Sequence, residues 1–535
     1  MSGFLKTETG KGLALSAPAS LYVGLLVAAP LGILVAYSFW TQTYVAVDRT
    51  LTWANYLEAA TDPLVRHLML RSIAIAGAVT LATVALAYPI AYFIAFRTQK
   101  KTLWLLLITI PFWSSYLLRV FSWKLILGFN GVMNSALLTT GMISEPLTFL
   151  LYNEFAVVLT LAHAWAPFAI LPIYVSLQKI DRALLEAATD LGCSKLERFI
   201  RVTLPLTVPG IIAASLIIFI PTVGDQPHSG AIRPGQQLAA GRHPVAGGDG
   251  FGRLRGHPLC SRHLGPGEAH PMTRFLRPPW LLIYATGYLI FLYLPVLLLP
   301  LFSFNDGTIV AFPMKGFTLK WYAQLGAQDT LLQAMVNSLI VGAVTAAVAT
   351  ALGLFAARAY VRYRFKGREL SEGLVMLPLV IPGIIVASSM LVLFISAGLK
   401  PSLTTVILGH IFLALPFAVS IMKSAFDDFD QSLEEAAFDL GESVTGTFRR
   451  VTLPIVAPGI IASLLVTFTV SFDEFVLAFF LSGNQPTLPV YIWSQIRFPA
   501  KLPNTLALGS LLLLASVLLL LTAEYFRRRS AKSER

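Results

Sequence analysis

Charge is scarce in this chain. Asp, Glu, Lys and Arg make up 13% of its 535 residues, against roughly a quarter in a soluble domain. Cysteine is nearly missing, and Cys193 and Cys260 alone exclude a disulfide framework. A Gly-rich phosphate loop ending in Lys and a hydroxyl residue is also lacking. The nearest run, Gly10-Lys11-Gly12, has neither the upstream glycine nor the Ser or Thr. What fills the chain instead is apolar: 56% of the residues are hydrophobic, and they fall in runs long enough to span a bilayer, for which about 20 residues suffice. The reading is an all-α polytopic membrane protein. The net charge of +12 does not point to nucleic acid, because Lys and Arg lie mostly in short loops on one side of the membrane.

Taken in order, Lys6 and Lys11 precede a first span at 20–40, which places the N-terminus in the cytoplasm. That span is too long for a cleavable signal. Further spans are expected at 68–96, 103–127, 154–177 and 206–223, then at 280–304, 333–357, 373–396, 404–422, 455–481 and 506–526. This makes about 11 transmembrane helices, five in the first half and six in the second.

Two polar islands interrupt these spans, and they are the same island. Glu186-Ala187-Ala188, Gly192, Phe199 and Val202-Thr203-Leu204-Pro205 recur as Glu435-Ala436-Ala437, Gly441, Phe448 and Val451-Thr452-Leu453-Pro454, at a constant offset of 249. Pro167-Phe168 and Asp181 recur at that offset too, as Pro416-Phe417 and Asp430. Both islands carry basic residues and face the cytoplasm, so the halves are parallel repeats. Each island reads as a short helix, a glycine break and a second short helix. Asp181 caps the first helix, Leu184, Leu185, Ala188 and Leu191 make an apolar face, and Gly192 is the left-handed stop. Ser194 and Glu197 form a capping box, and Pro205 is expected to close the second helix. Asp430, Leu433, Ala437, Leu440, Gly441 and Ser443 take the same parts in the second copy. The small alanine pairs let a partner surface approach, and Glu186 and Glu435 offer it a fixed negative charge.

The pattern Glu-Ala-Ala, Gly, Leu-Pro resembles the coupling motif of the type-1 permeases of ABC importers. The run from Pro111-Phe112-Trp113 to Arg119, with Leu127-Gly128 and Asn130-Gly131, resembles the first permease subunit of spermidine/putrescine importers. Asn337-Ser338, Tyr363-Arg364-Phe365, the run Leu377–Pro382 and Ser471-Phe472-Asp473-Glu474-Phe475 resemble the second. The resemblance implies a multi-pass protein of the bacterial cytoplasmic (inner) membrane that transports and is not an enzyme. It implies two partners, a cytoplasmic ABC ATPase dimer that docks on the islands and an extracytoplasmic substrate-binding protein. The chain itself binds no cofactor, and ATP is used by the partner. Glu186, Ala187, Ala188, Gly192 and Pro205, with Glu435, Ala436, Ala437, Gly441 and Pro454, are the expected ATPase-coupling residues. Importers of ferric iron, thiamine or phosphonates share the scaffold and are the alternative substrates. An ion-driven secondary transporter is a poor match, since its repeats are usually inverted.

A substrate path is suggested by Asp473 and Glu474, which stand inside an apolar run. A carboxylate there is costly, by about 2.5–3.5 kcal/mol on insertion scales, and so faces a wet cavity or a partner. Asp225 matches Glu474 at the offset of 249. These carboxylates and the faces of Trp113 and Tyr116 would attract a polycation. The alternatives are solvated helix ends, pairing with Arg119, and an interfacial aromatic belt.

Between the halves, residues 226–271 are rich in Gly, Pro, His and Arg, and hold five of the eight histidines. His228, His243, His257, His263 and Cys260 have no zinc-like spacing. Five crossings leave residue 225 outside, whereas Arg277 belongs inside, so one crossing is missing. The expectation is an out-of-frame stretch, a frameshift near codon 225 that removed the last helix of one permease and fused it to the next, with a non-functional fusion product as an alternative reading. A Gly/Pro-rich linker is the alternative, and it does not restore the crossing. The expected organisation is 1–67, first helix and outer loop; 68–225, first permease domain; 226–271, the anomalous segment; 272–332, first helix and outer loop of the second half; and 333–535, second permease domain.

Overall fold

The computed structural model describes residues 7–43, 46–113, 115–150, 153–224, 279–307 and 314–533. Segment 226–271 and Asp225 therefore lie outside the described residues. Regular structure is helical apart from a small hairpin, Thr41–Thr43 with Ala46–Asp48. Among the described residues, seven helices are long and apolar enough to cross a membrane, and ten crossings result if each of three bent pairs counts as one. The C-terminal helix Leu502–Ser533 stands in addition to these, at the place of the last expected crossing.

Each half is built on three packed spans. Pro63–Phe96, the pair Glu154–Ala164 with Ala166–Gln178, and Leu204–Gly224 pack together in the first half. Asp329–Arg362, Leu403–Asp427 and Leu453–Asp473 do so in the second. Lipid tails are as apolar as leucine, so such helices hold together by close approach and by polar contacts. A Cβ on Gly353 would stand 2.7 Å from Ala418 Cβ and 3.1 Å from the Val419 nitrogen. Thr350 and Ser463 hydroxyls meet at 2.9 Å, and Tyr88 and Thr207 do the same in the first half at 2.9 Å.

Three expected straight spans are bent. Glu154–Ala164 and Ala166–Gln178 meet at 52°. The other two are broken more sharply: Lys101–Phe112 and Tyr116–Thr139 meet at 81°, and Arg368–Leu379 and Gly383–Ser396 at 100°. Pro111, Pro378 and Pro382 sit at these breaks, where proline removes a helical donor and pushes its predecessor out of the α region. The span expected at 455–481 also ends early. Its helix stops at Asp473, and a separate short helix, Val476–Leu481, follows.

The first helix of each half belongs, by packing, to the other half. Glu8–Ser38 lies on Asp329–Arg362, Arg368–Met376 and Gly383–Ser396, and Ala19, Val23 and Leu26 are buried in the second half's apolar cluster. Pro279–Ser303 lies on Pro63–Phe96 and Tyr116–Leu127 of the first half as well as on Leu502–Ser533 of its own, with Leu281, Ala285, Tyr288 and Leu292 in the first half's cluster. Hydrogen bonds follow the exchange. Ser20 Oγ is 2.6 Å from Ser371 Oγ, and the Tyr293 hydroxyl donates to the Leu107 carbonyl at 2.9 Å. The sequence-based boundaries at 67 and 332 therefore separate helices in sequence, while the folded cores interlock.

Gly353→Leu tests the tightness of the core. Overpacking at the Ala418 crossing is expected to destabilise the second half by about 1–3 kcal/mol, read as a lower thermal unfolding midpoint in detergent. An unchanged midpoint would show that the crossing has slack.

Candidate functional site

Both cytoplasmic islands fold as expected over most of their length. The Asp181 carboxylate accepts the Ala183 N–H at 2.9 Å, and the Asp430 carboxylate accepts that of Ser432 at 2.9 Å. Gly192 and Gly441 stand at φ +80 and +84. The two glycine stops close identically. Cys193 N–H donates to Ala188 O at 3.1 Å and Gly192 N–H to Thr189 O at 2.9 Å; Glu442 to Ala437 at 3.0 Å and Gly441 to Phe438 at 2.9 Å repeat them. This is the paired closure of a helix ended by a left-handed residue. Ser194 and Glu197 form the capping box, with Ser194 N–H donating to Glu197 at 2.9 Å. That hydrogen bond holds the Glu197 carboxyl below the usual carboxylate range, and the Ser432 N–H does the same for Asp430.

Pro205 and Pro454 do not close anything. Each follows a π-helical turn, Phe199–Thr203 and Phe448–Thr452, through which the helix runs on into the membrane as one rod, Lys195–Gly224 and Val444–Asp473. Leu204 N–H donates to Phe199 O, and Leu453 N–H to Phe448 O. The widened turn makes room for a ring that would clash with an ordinary α-turn.

The outward surface of the hairpins is mixed. Glu186, Ala187, Glu435 and Ala436 are exposed, Ala188 is buried and Ala437 is half-buried. Leu191 and Leu440 are 75% and 89% exposed, and Leu184 and Leu433 are exposed with them.

The acidic pair lies at the break after Asp473, where the two halves touch. Asp473 Oδ2 accepts the backbone N–H of Tyr116 at 3.2 Å. Glu474 caps the next short helix, accepting from Val476 at 3.0 Å, Leu477 at 2.9 Å and Ala478 at 3.3 Å. His410, buried in the span Leu403–Asp427, stands 3.5 Å from Glu474 through Nε2 and 2.8 Å from Ser471 Oγ through Nδ1. Arg119 is only 5% exposed. Its Nη1 donates to the Pro111 carbonyl at 3.2 Å, and its guanidinium lies 4.5 Å from the Phe112 ring. It seals the break of the first half. On the opposite side a Cβ on Gly224 would come within 3.1 Å of Pro382 Cγ. Each half's broken span thus meets the end of the other half's long fifth crossing.

Of the sequence-derived path residues, the structure joins Asp473, Glu474 and Tyr116 at one junction. Trp113 ends the 3-10 turn Ile110–Trp113 beside it, and its side chain lies outside the described residues. Tyr116 opens the helix Tyr116–Leu127 at this break and is half-buried. His410 escaped the sequence reading, although a histidine within an apolar run was the signal that marked it.

Two parallel helical modules, each with a cytoplasmic hairpin and a broken span against the other, define the class: a two-module transport permease. The family described as binding-protein-dependent transport system inner membrane component matches residues 28–226 and 349–532, and the chain belongs to it. It is a multi-pass inner-membrane protein with two permease modules in one polypeptide. Among its relatives are three proteins of Escherichia coli (strain K12). Spermidine/putrescine transport system permease protein PotC is 33% identical over 250 residues, 46% of this chain and 94% of the relative. PotB, of the same system, is 39% identical over 193 residues, 36% of this chain and 70% of the relative. Putrescine transport system permease protein PotI is 33% identical over 265 residues, 48% and 94%.

Gly192→Val and Gly441→Val place a β-branched residue in the left-handed region, at a cost of about 1–2 kcal/mol. Amide exchange in the altered hairpin is expected to quicken about tenfold with the unfolding midpoint of the bundle unchanged. Equal exchange in variant and parent would show that the glycine stop is dispensable.

Proposed function

We propose that this chain is the membrane-spanning component of an ATP-driven importer of polyamines of the spermidine/putrescine type. The observation that carries the coupling is the repeated hairpin: two copies of one solvent-facing surface, one per module, suited to a dimeric cytoplasmic ATPase. Glu186, Ala187 and Ala188, with Glu435, Ala436 and Ala437, form the docking surface, and Gly192 and Gly441 set its turn. Pro205 and Pro454 follow the π-turns that continue each hairpin into a membrane-spanning rod, so a displaced hairpin carries its helix with it. ATP binding closes the ATPase pair, the hairpins move, and the population of outward-open and inward-open states shifts. An extracytoplasmic binding protein delivers the substrate.

The polyamine assignment is supported by the relatives and by the acidic junction between the modules. Asp473 and the 13%-exposed Glu474 lie where opposing breaks meet, so separating the modules uncovers both carboxylates. Their field favours a cation and repels an anionic substrate such as a phosphonate. Opening also frees Asp473 from the Tyr116 N–H, and a protonated amine is a suitable replacement donor.

Asp473→Asn and Glu474→Gln are expected to lower spermidine uptake at least tenfold in proteoliposomes holding the chain, its ATPase and its binding protein, with ATP hydrolysis retained. Unchanged uptake removes both carboxylates from the path.

A further inference from the structure

The two hairpins share a backbone, yet they are fastened to their modules by different chemistry. In the second module Glu434, directly before the Glu-Ala-Ala run, is 7% exposed. Its Oε1 lies 3.2 Å from Arg358 Nη1 and its Oε2 3.9 Å from Arg362 Nη2. The Thr452 hydroxyl donates to the same carboxylate. The Arg358 guanidinium stacks 4.7 Å from the Phe448 ring, and that of Arg362 lies 4.9 Å from Phe429. One carboxylate therefore ties three pieces together: the first helix of the hairpin, its π-turn, and the cytoplasmic end of the long helix Asp329–Arg362. Asp430, whose carboxylate accepts the Ser432 N–H at 2.9 Å, adds a second negative charge at the start of the hairpin.

Apart from Asp181, the counterpart of Asp430, the first module has no charge at these places. At the offset of 249, Glu434 corresponds to Leu185. Both long helices have 34 residues, and the positions of Arg358 and Arg362 in the second are those of Tyr92 and Phe96 in the first. There the contact is aromatic. Phe199, the counterpart of Phe448, lies 5.6 Å from Tyr88 and 6.2 Å from Tyr92, and Tyr92 lies 5.0 Å from Phe96.

We infer that Glu434, clasped by Arg358 and Arg362, is a positioning residue that makes the second hairpin and the helix Asp329–Arg362 move as one piece, while the first hairpin rides on a contact that can slide. Apolar contact is non-directional and depends on area, so small displacements across it are nearly free. A buried ion pair has a fixed direction and distance, and losing one partner leaves the other charge buried and uncompensated. The second hairpin is thus the one that transmits ATPase closure stiffly to the membrane. This deepens the proposed coupling role and rests on it.

The test uses the full chain reconstituted with its ATPase and binding protein, reading spermidine imported per ATP hydrolysed and the amount of ATPase that co-purifies. Glu434→Gln is expected to lower import per ATP at least fivefold with the same amount of bound ATPase, and Glu434→Asp, which keeps the charge, to recover at least half of the loss. Arg362→Met, which removes the more distant partner, is expected to lower the ratio about twofold. An unchanged ratio in Glu434→Gln overturns the inference. So does full coupling in Arg362→Met if Glu434→Gln fails to assemble. Glu186→Arg and Glu435→Arg serve as controls on the exposed surface: if the ATPase still binds both, the docking reading itself falls, whereas lost binding there beside an unaffected Glu434→Gln removes the latch alone.

Discussion

Inside hydrocarbon every backbone N–H and C=O must find its partner within the protein, and the architecture around the centre of this molecule follows from that. Continuous helices satisfy the rule by themselves. Breaks do not, and the described residues contain breaks at Pro111–Ser115, at Leu377–Pro382 and after Asp473. The first and the last are closed by particular groups. Arg119 takes the Pro111 carbonyl, Asp473 takes the Tyr116 N–H across the module boundary, and Glu474 takes three N–H groups of the next turn. The residues that make the breaks tolerable are also the charged groups at the junction of the modules.

The exchange of first helices gives the junction its stability. Glu8–Ser38 and Pro279–Ser303 each cross to the opposite core, and a half-buried hydroxyl chain links Ser20, Ser371 and Tyr360. Gly12 lets the N-terminal helix approach so closely that a Cβ would lie 3.0 Å from Tyr363 Cβ.

Much of this was legible in the residues. Hydropathy marked the crossings, and the internal repeat marked the hairpins. Asp181, Gly192, Ser194 and Glu197 act through neighbours within five positions, so their spacing revealed their structure. Pro205 and Pro454 misled, since a proline after a short helix ordinarily ends it, and nothing in the letters announces a π-turn that accommodates the ring. Glu434 was overshadowed by Glu435 beside it. A one-residue difference turns a helix by about 100°, and only contact with Arg358 shows which of the two points inward.

The sequence by itself determined the all-α membrane class, the parallel repeat and the local form of both hairpins, because hydropathy, caps and left-handed glycines act over a few residues. Tertiary structure alone decided which core each first helix joins, that Asp473 serves the break at Tyr116, and that one hairpin is held by charge and the other by aromatic rings. Those choices bring together residues hundreds of positions apart. Apolar helix faces look alike to lipid and to protein, so only steric fit and a few buried polar groups select among the possible pairings.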